Sequence, residues 1–154
     1  MSKPNDPHDL ERFVSAQLDD YDEALAEIRS GRKRSHWMWY IFPQIDGLAL
    51  SSTAKHFAIK SLEEAEAYLA HPVLGPRLTA CAEAACAVEG RSAYEIFGSP
   101  DDLKLRSSAT LFACASPPRS VFHRLIAKYY EGEPDGKTLR ILGLDSIEPS
   151  SGVQ

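Results

Sequence analysis

The chain has 154 residues, 44% of them hydrophobic and 25% charged, with a formal net charge of -5. That length suits one domain, able to bury about two thirds of its unfolded surface without a disulfide or metal staple. The acidic balance argues against general affinity for nucleic acid, whose phosphates call for a surplus of Lys and Arg. The longest apolar run, residues 37–42, is too short to cross a membrane. The opening MSKPNDPHDL has no apolar core of a secretory signal, so a soluble, cytoplasmic protein is expected.

Residues 10–30 carry helical period: Leu10, Phe13, Val14, Gln17, Tyr21, Ala24, Leu25 and Ile28 fall on one stripe. Asp19 and Asp20 offer a fresh N-cap inside that stripe, so two helices broken near Leu18 are expected, the second stopped by Gly31. The run KRSHWMWYIFPQIDG, residues 33–47, follows and holds both tryptophans of the chain. Pro43 and Gly47 limit it to a short helical turn within 35–42, and no partner strand for a buried strand is visible. LSSTAKHFAI is a short helix capped by Ser51 or Ser52. SLEEAEAYLAHP has capping-box spacing at Ser61 and Glu64, and Pro72 ends it.

LGPRLTACAEAACAVEG then reads as an alanine-rich helix closed by Gly90, and SAYEIFG as a further turn closed by Gly98. SPDDLKLRSSATLFACA gives a start signal with Ser99 as N-cap and Pro100 at the first helical position. PPRSVFHRLIAKYYEG and PDGKTLRILGL supply the last two helices. The sum is an all-α, compact single-domain globule of seven to nine helices over residues 9–143, with flexible ends over 1–8 and 144–154. Helices this short do not hold in water alone, so a common core must stabilise them.

The chemistry is sparse. No glycine-rich phosphate loop, HExxH, GxSxG or EF-hand spacing is present, so no cofactor is expected. No two of the five histidines stand four apart on one helix face, and no CxxC occurs, so no metal site is expected. Cys81 and Cys86 point about 140° apart on a helix; with Cys114 they read as reduced, buried small hydrophobes. RKR at 32–34 is the one basic cluster, and it suits a helix C-terminus, with a phosphate-contacting patch as the alternative.

His36, between basic residues and aromatics, is the candidate general base or anion donor, since imidazole titrates near neutrality; taken alone, it is better explained as a backbone-bonded histidine at a helix start. Trp37, Trp39 and residue 41 cannot share one helix face, so one tryptophan should point away from the main core. Gln44 sits beside these rings on the turn after Pro43. On the later helix Lys104, Ser107, Ser108 and Leu111 share one side, with Asp101–Lys104 and Asp102–Arg106 spaced to pair. Ser107 as a nucleophile would need a base that the sequence does not show beside it.

The blocks HWMWYIFPQIDGL, SLEEAEAYLAHPVLGPRL, IFGSPDDLKLRSSATLF and VFHRLIAKYYEGEPDGKTLRIL resemble those of the domain-of-unknown-function 1810 family of small bacterial proteins, over residues 10–142. The resemblance implies an all-helical globule and no established activity. Some members carry an automatic calpastatin label, which does not suit a compact, patterned chain. The family's motif positions fall here on His36, Trp37, Trp39, Pro43, Gln44, Gly75, Arg77, Phe97, Gly98, Asp102, Lys104, Ser107, Thr110 and Phe122. Set aside those that shape the backbone or core, and His36, Trp37, Gln44, Arg77, Asp102, Lys104 and Ser107 remain as candidate ligand-binding residues. The expected ligand is small and anionic, with a nucleotide-like molecule held between the Trp37 ring and the cations Arg77 and Lys104. The alternative is a protein–protein interaction module that uses an exposed aromatic patch. Neither reaction nor substrate is legible.

Overall fold

The computed structural model describes residues 6–148. The expected flexible ends fall partly outside that range, at 1–5 and 149–154. Ten helices occur among the described residues: α1 (Glu11–Gln17), α2 (Tyr21–Ser30), α3 (Met38–Ile41), α4 (Ser52–His56), α5 (Leu62–Ala70), α6 (Leu74–Ala87), α7 (Ala93–Phe97), α8 (Asp101–Cys114), α9 (Val121–Tyr130) and α10 (Gly136–Leu142). Ten exceeds the expected seven to nine because α3, α4 and α7 are single turns that stand as separate helices. None of the helices is long and apolar enough to cross a membrane.

Local signals set most of the boundaries. The break at residues 18–20 is where the acids suggested it, although Asp20 stands at the N-cap without a side-chain capping bond. Gly31 closes α2 at φ 83°, a left-handed conformation that costs glycine little. Ser51, Ser61, Ser92, Ser120 and Asp135 each accept a backbone N–H at a helix start. The start of α8 differs from the sequence expectation. The helix begins at Asp101 with Pro100, not Ser99, at the N-cap, and the Ser99–Pro100 peptide is cis. The freed N–H of Asp102 donates to Gly98 O at 2.8 Å instead.

The core is built round α8. Every residue from Ser107 to Ala113 is buried, so this helix has no solvated face along its second half. It packs against α9, α7, α5 and α10. Phe112 of α8 lies 5.3 Å from Tyr68 and 5.7 Å from Phe122, ring centroid to centroid, which joins α5, α8 and α9. The turn between α5 and α6 is closed so tightly that a Cβ at Gly75 would lie 2.1 Å from the Leu69 carbonyl oxygen. Small residues along α6 (Cys81, Ala82, Ala85) are buried as well.

The segment after α3 forms no strand. A single parallel bridge pairs Ile45 with Ile59, with Ile59 N–H donating to Gln44 O and Asp46 N–H donating to Ile59 O, both at 2.8 Å. That clip fixes the loop carrying Gln44 over the end of α4. The first and last described residues are also tied down. Asp6 accepts N–H bonds from Leu10 and Glu11, and Ile147 O lies 3.0 Å from His123 Nε2.

Candidate functional site

The opening aromatic run divides between core and cleft. Trp37 is buried to 1% exposure. Its indole N–H donates to Glu27 Oε1 at 2.9 Å, and its ring packs edge-on to Phe97 at 6.4 Å. Glu27 also accepts the backbone N–H groups of Arg34 and Ser35 and the Ser35 hydroxyl. Burial would raise this carboxyl; the hydrogen bonds from Ser35, Arg34 and Trp37 outweigh it and lower the pKa to about 2. One carboxylate of α2 therefore holds residues 34–37 in place. The sequence signal for it was an acid three residues after Ala24, at the edge of the apolar stripe.

Trp39 is the tryptophan that points away from the main core. It is half-buried, and the Lys104 ammonium of α8 stands 4.6 Å from its ring centroid. Lys104 and Trp39 line a chamber of about 20 Å³ together with Phe42, Gln44 and Phe57. That is room for one water-sized molecule. Gln44, Ala49 and Lys104 also line a neighbouring, open groove of about 460 Å³, which continues along α8 to the start of α10.

The groove has Gln44 on one side, Lys104 and Ser107 from α8, and Asp135, Lys137 and Arg140 from α10. Asp135 is committed internally: Oδ2 accepts the Thr138 N–H at 3.1 Å, the Thr138 hydroxyl at 2.6 Å and the Ser107 hydroxyl at 3.2 Å. Thr110 completes the joint by accepting Asp135 N–H at 2.9 Å. Arg106, also at the groove, donates to Glu133 O at 2.8 Å. Lys137 and Arg140 are exposed and meet no carboxylate among the described residues. Lys104 shares Asp101 at 3.5 Å with Lys33, which is closer at 2.9 Å. The Gln44 amide has no protein partner among the described residues. The groove thus carries a cationic excess on a chain of net charge -5.

The seven candidate residues separate accordingly. Gln44, Lys104 and Ser107 come together, and the Ser107 hydroxyl is tied to Leu103 O and to the Asp135 carboxylate, with no histidine among the residues lining the groove. Trp37 is a core residue: its ring is enclosed, so it offers no face to a ligand. Arg77 donates to Gln17 Oε1 at 3.3 Å and stands 4.9 Å from the Tyr21 ring, a strut between α6 and the first two helices. Asp102 accepts its neighbour Leu103 N–H, and its backbone oxygen accepts the Tyr130 hydroxyl at 2.5 Å; the spacing-based pair with Arg106 does not form. His36 is exposed and stands in none of these cavities, its carbonyl accepting the Tyr40 hydroxyl at 3.3 Å. Trp37 and Arg77 line neither of the two cavities that Lys104 lines. Sequence reasoning missed Lys137 and Arg140. Their three-residue spacing behind the Asp135 cap put them on one helix face and could have been read.

The three cysteines are free. Among the described residues no group of three or more His, Cys, Asp or Glu could hold a metal ion.

Fold and site together define an all-helical domain with a cationic, amide-lined groove. The chain belongs to the family described as "Protein of unknown function (DUF1810)", whose model matches residues 7–142. It is also similar to the conserved hypothetical protein Rv1873 from Mycobacterium tuberculosis, known from a crystal structure at 1.38 Å. The two are 53% identical, with a TM-score of 0.88 over 91% of this chain and 100% of that one. No curated protein matches the chain.

Proposed function

We propose that the groove between the Gln44–Ala49 loop, α8 and α10 binds a small anionic ligand, with Lys104, Lys137 and Arg140 as its cations and Gln44 as a hydrogen-bonding partner. One observation carries this reading: four cations from two helices, Lys104, Arg106, Lys137 and Arg140, line a groove whose only carboxylate among the described residues, Asp135, is already engaged by Ser107 and Thr138. An anion entering there would gain charge-assisted bonds. The free Gln44 amide offers a donor and an acceptor to an uncharged part of the same molecule, as a nucleotide-like ligand would require. His36, Trp37, Arg77 and Asp102 leave the candidate site under this reading. Three reduced thiols fit the reducing cytoplasm, where the ligand would be a metabolite.

The test is a thermal-shift screen with nucleotides, sugar phosphates and other anionic metabolites. Wild type is compared with His36→Ala and with the double variant Lys137→Ala/Arg140→Ala. A ligand at a hundred times its Kd adds about 2.7 kcal/mol by mass action, or roughly 5–10 °C in a chain this size. His36→Ala should keep the shift, and the double variant should lose most of it. A hit whose shift survives in the double variant and vanishes in His36→Ala would overturn the assignment.

A further inference from the structure

A second basic surface lies away from that groove. Arg32, Lys33, Arg91, Tyr94 and Gly98 line a depression of about 370 Å³ between the end of α2 and the start of α7. The two segments are joined by Lys33 N–H donating to Ile96 O at 2.7 Å, so the surface is set by backbone and not by side-chain chance. Arg91 lies across the left-handed Gly31. Its Cδ and Nε would each be 3.3 Å from a Cβ there, so glycine leaves the space that seats the arginine stem. The guanidinium groups of Arg32 and Arg91 are exposed and have no hydrogen bond or ion pair among the described residues. Lys33 is already neutralised by Asp101. Glu95, the one carboxylate at this surface, is held by its capping box with Ser92. Tyr94 lines the same depression and is 63% exposed.

We infer that this surface docks an acidic peptide segment of a partner protein, with Arg32 and Arg91 taking carboxylates and the Tyr94 ring covering an adjacent apolar side chain. Guanidinium forks match carboxylates in a bidentate way, and arginine and tyrosine are the side chains that most often dominate interface energetics. The aromatic patch relevant to a partner thus sits on α7 and not on the opening tryptophan run. Charge decides between peptide and nucleic acid. A single strand needs cations repeated along its path, whereas this depression has two free guanidiniums on an acidic chain.

The test is fluorescence anisotropy on the full chain. The probe is a short fluorescein-labelled peptide of alternating glutamate and leucine, with a lysine–leucine peptide and a thymidine oligonucleotide as comparisons. Arg32→Ala/Arg91→Ala should weaken glutamate-peptide binding about tenfold or more, and Tyr94→Ala should weaken it by a smaller factor. The charge-reversed Arg32→Glu/Arg91→Glu variant should bind the lysine peptide in its place, which shows a folded surface and makes simple loss of structure distinguishable. The inference is overturned if wild type ignores the glutamate peptide, or if the arginine variants bind it as wild type does. It is equally overturned if Lys137→Ala/Arg140→Ala removes the binding, or if the oligonucleotide binds more tightly through the same two arginines.

Discussion

Glu27→Gln tests how the site-bearing segment is held. The carboxylate accepts from Arg34 N–H at 2.8 Å, Ser35 N–H at 3.0 Å, the Ser35 hydroxyl at 2.7 Å and the Trp37 indole at 2.9 Å, with 8% of the residue exposed. Its pKa lies at about 2 against an ordinary 4.5. Such a difference corresponds to about 3 kcal/mol of folding stability at neutral pH. Because the folded value is the depressed one, that stability is fully present above about pH 4.5 and is lost as pH falls towards about 2. Glutamine keeps the shape but has one acceptor oxygen and no charge, so at pH 7 the variant should lose up to about 3 kcal/mol, or roughly 6–12 °C in Tm. Urea titrations of both proteins at pH 7 and pH 3 give the decisive comparison. By pH 3 more than half of the difference should have gone, since the unfolded carboxyl is then protonated while the folded one still holds its charge. A difference that stays constant from pH 7 to pH 3, or that is absent at pH 7, would refute the claim that charge on Glu27 anchors residues 34–37.

Two further outcomes follow from the packing. Gly75→Ala places a methyl group 2.1 Å from the Leu69 carbonyl oxygen, so α6 must shift away from the end of α5. A loss of about 3 kcal/mol or more in urea titration is expected, and stability within about 0.5 kcal/mol of wild type would contradict the close approach. Burial pushes the Cys81 thiol up to about 12 and Cys114 to about 11, and it raises Cys86 as well. At pH 8 almost no thiolate exists at Cys81 in the folded protein, so iodoacetamide followed by mass spectrometry should find Cys81 modified only on unfolding; prompt native labelling of Cys81 would refute it.

Local chemistry was legible because it acts over a few residues. Serine caps at 51 and 61 and the glycine stop at 31 declare themselves in sequence and recur in the structure. The start of α8 was off by one residue because a proline signal and a serine signal stood side by side, and the preceding Gly98–Pro100 turn decided between them. Long-range pairing was illegible. Nothing in the sequence says that Arg77 should meet Gln17, sixty residues away, or that Glu27 should receive the Trp37 indole. Those partners are chosen by helix packing, and packing also leaves four candidate residues, His36, Trp37, Arg77 and Asp102, outside the lining of the groove. Gln44, Lys104 and Ser107 stayed together because two of them share a face of α8 and the third is clipped beside it by the Ile45–Ile59 bridge.

Asp101 explains why the groove keeps its charge. It lies between two lysines, and either could neutralise it. Lys33 is the better placed, at 2.9 Å with a side chain 7% exposed, against 3.5 Å and 22% for Lys104. A buried ammonium gains more from a carboxylate than an accessible one does, because water screens it less. Lys33 also lies 4.9 Å from the Trp37 ring, which leaves it few other places to go. Asp101 is therefore bound chiefly to Lys33, and the Lys104 ammonium remains over Trp39 at the mouth of the groove, with most of its charge available. The two tryptophans thus have opposite consequences: Trp37, enclosed, helps to hold the lysine that occupies Asp101, and Trp39, at the cleft, holds the lysine left over. The aromatic run shapes the proposed site by fixing where positive charge is compensated and where it is not.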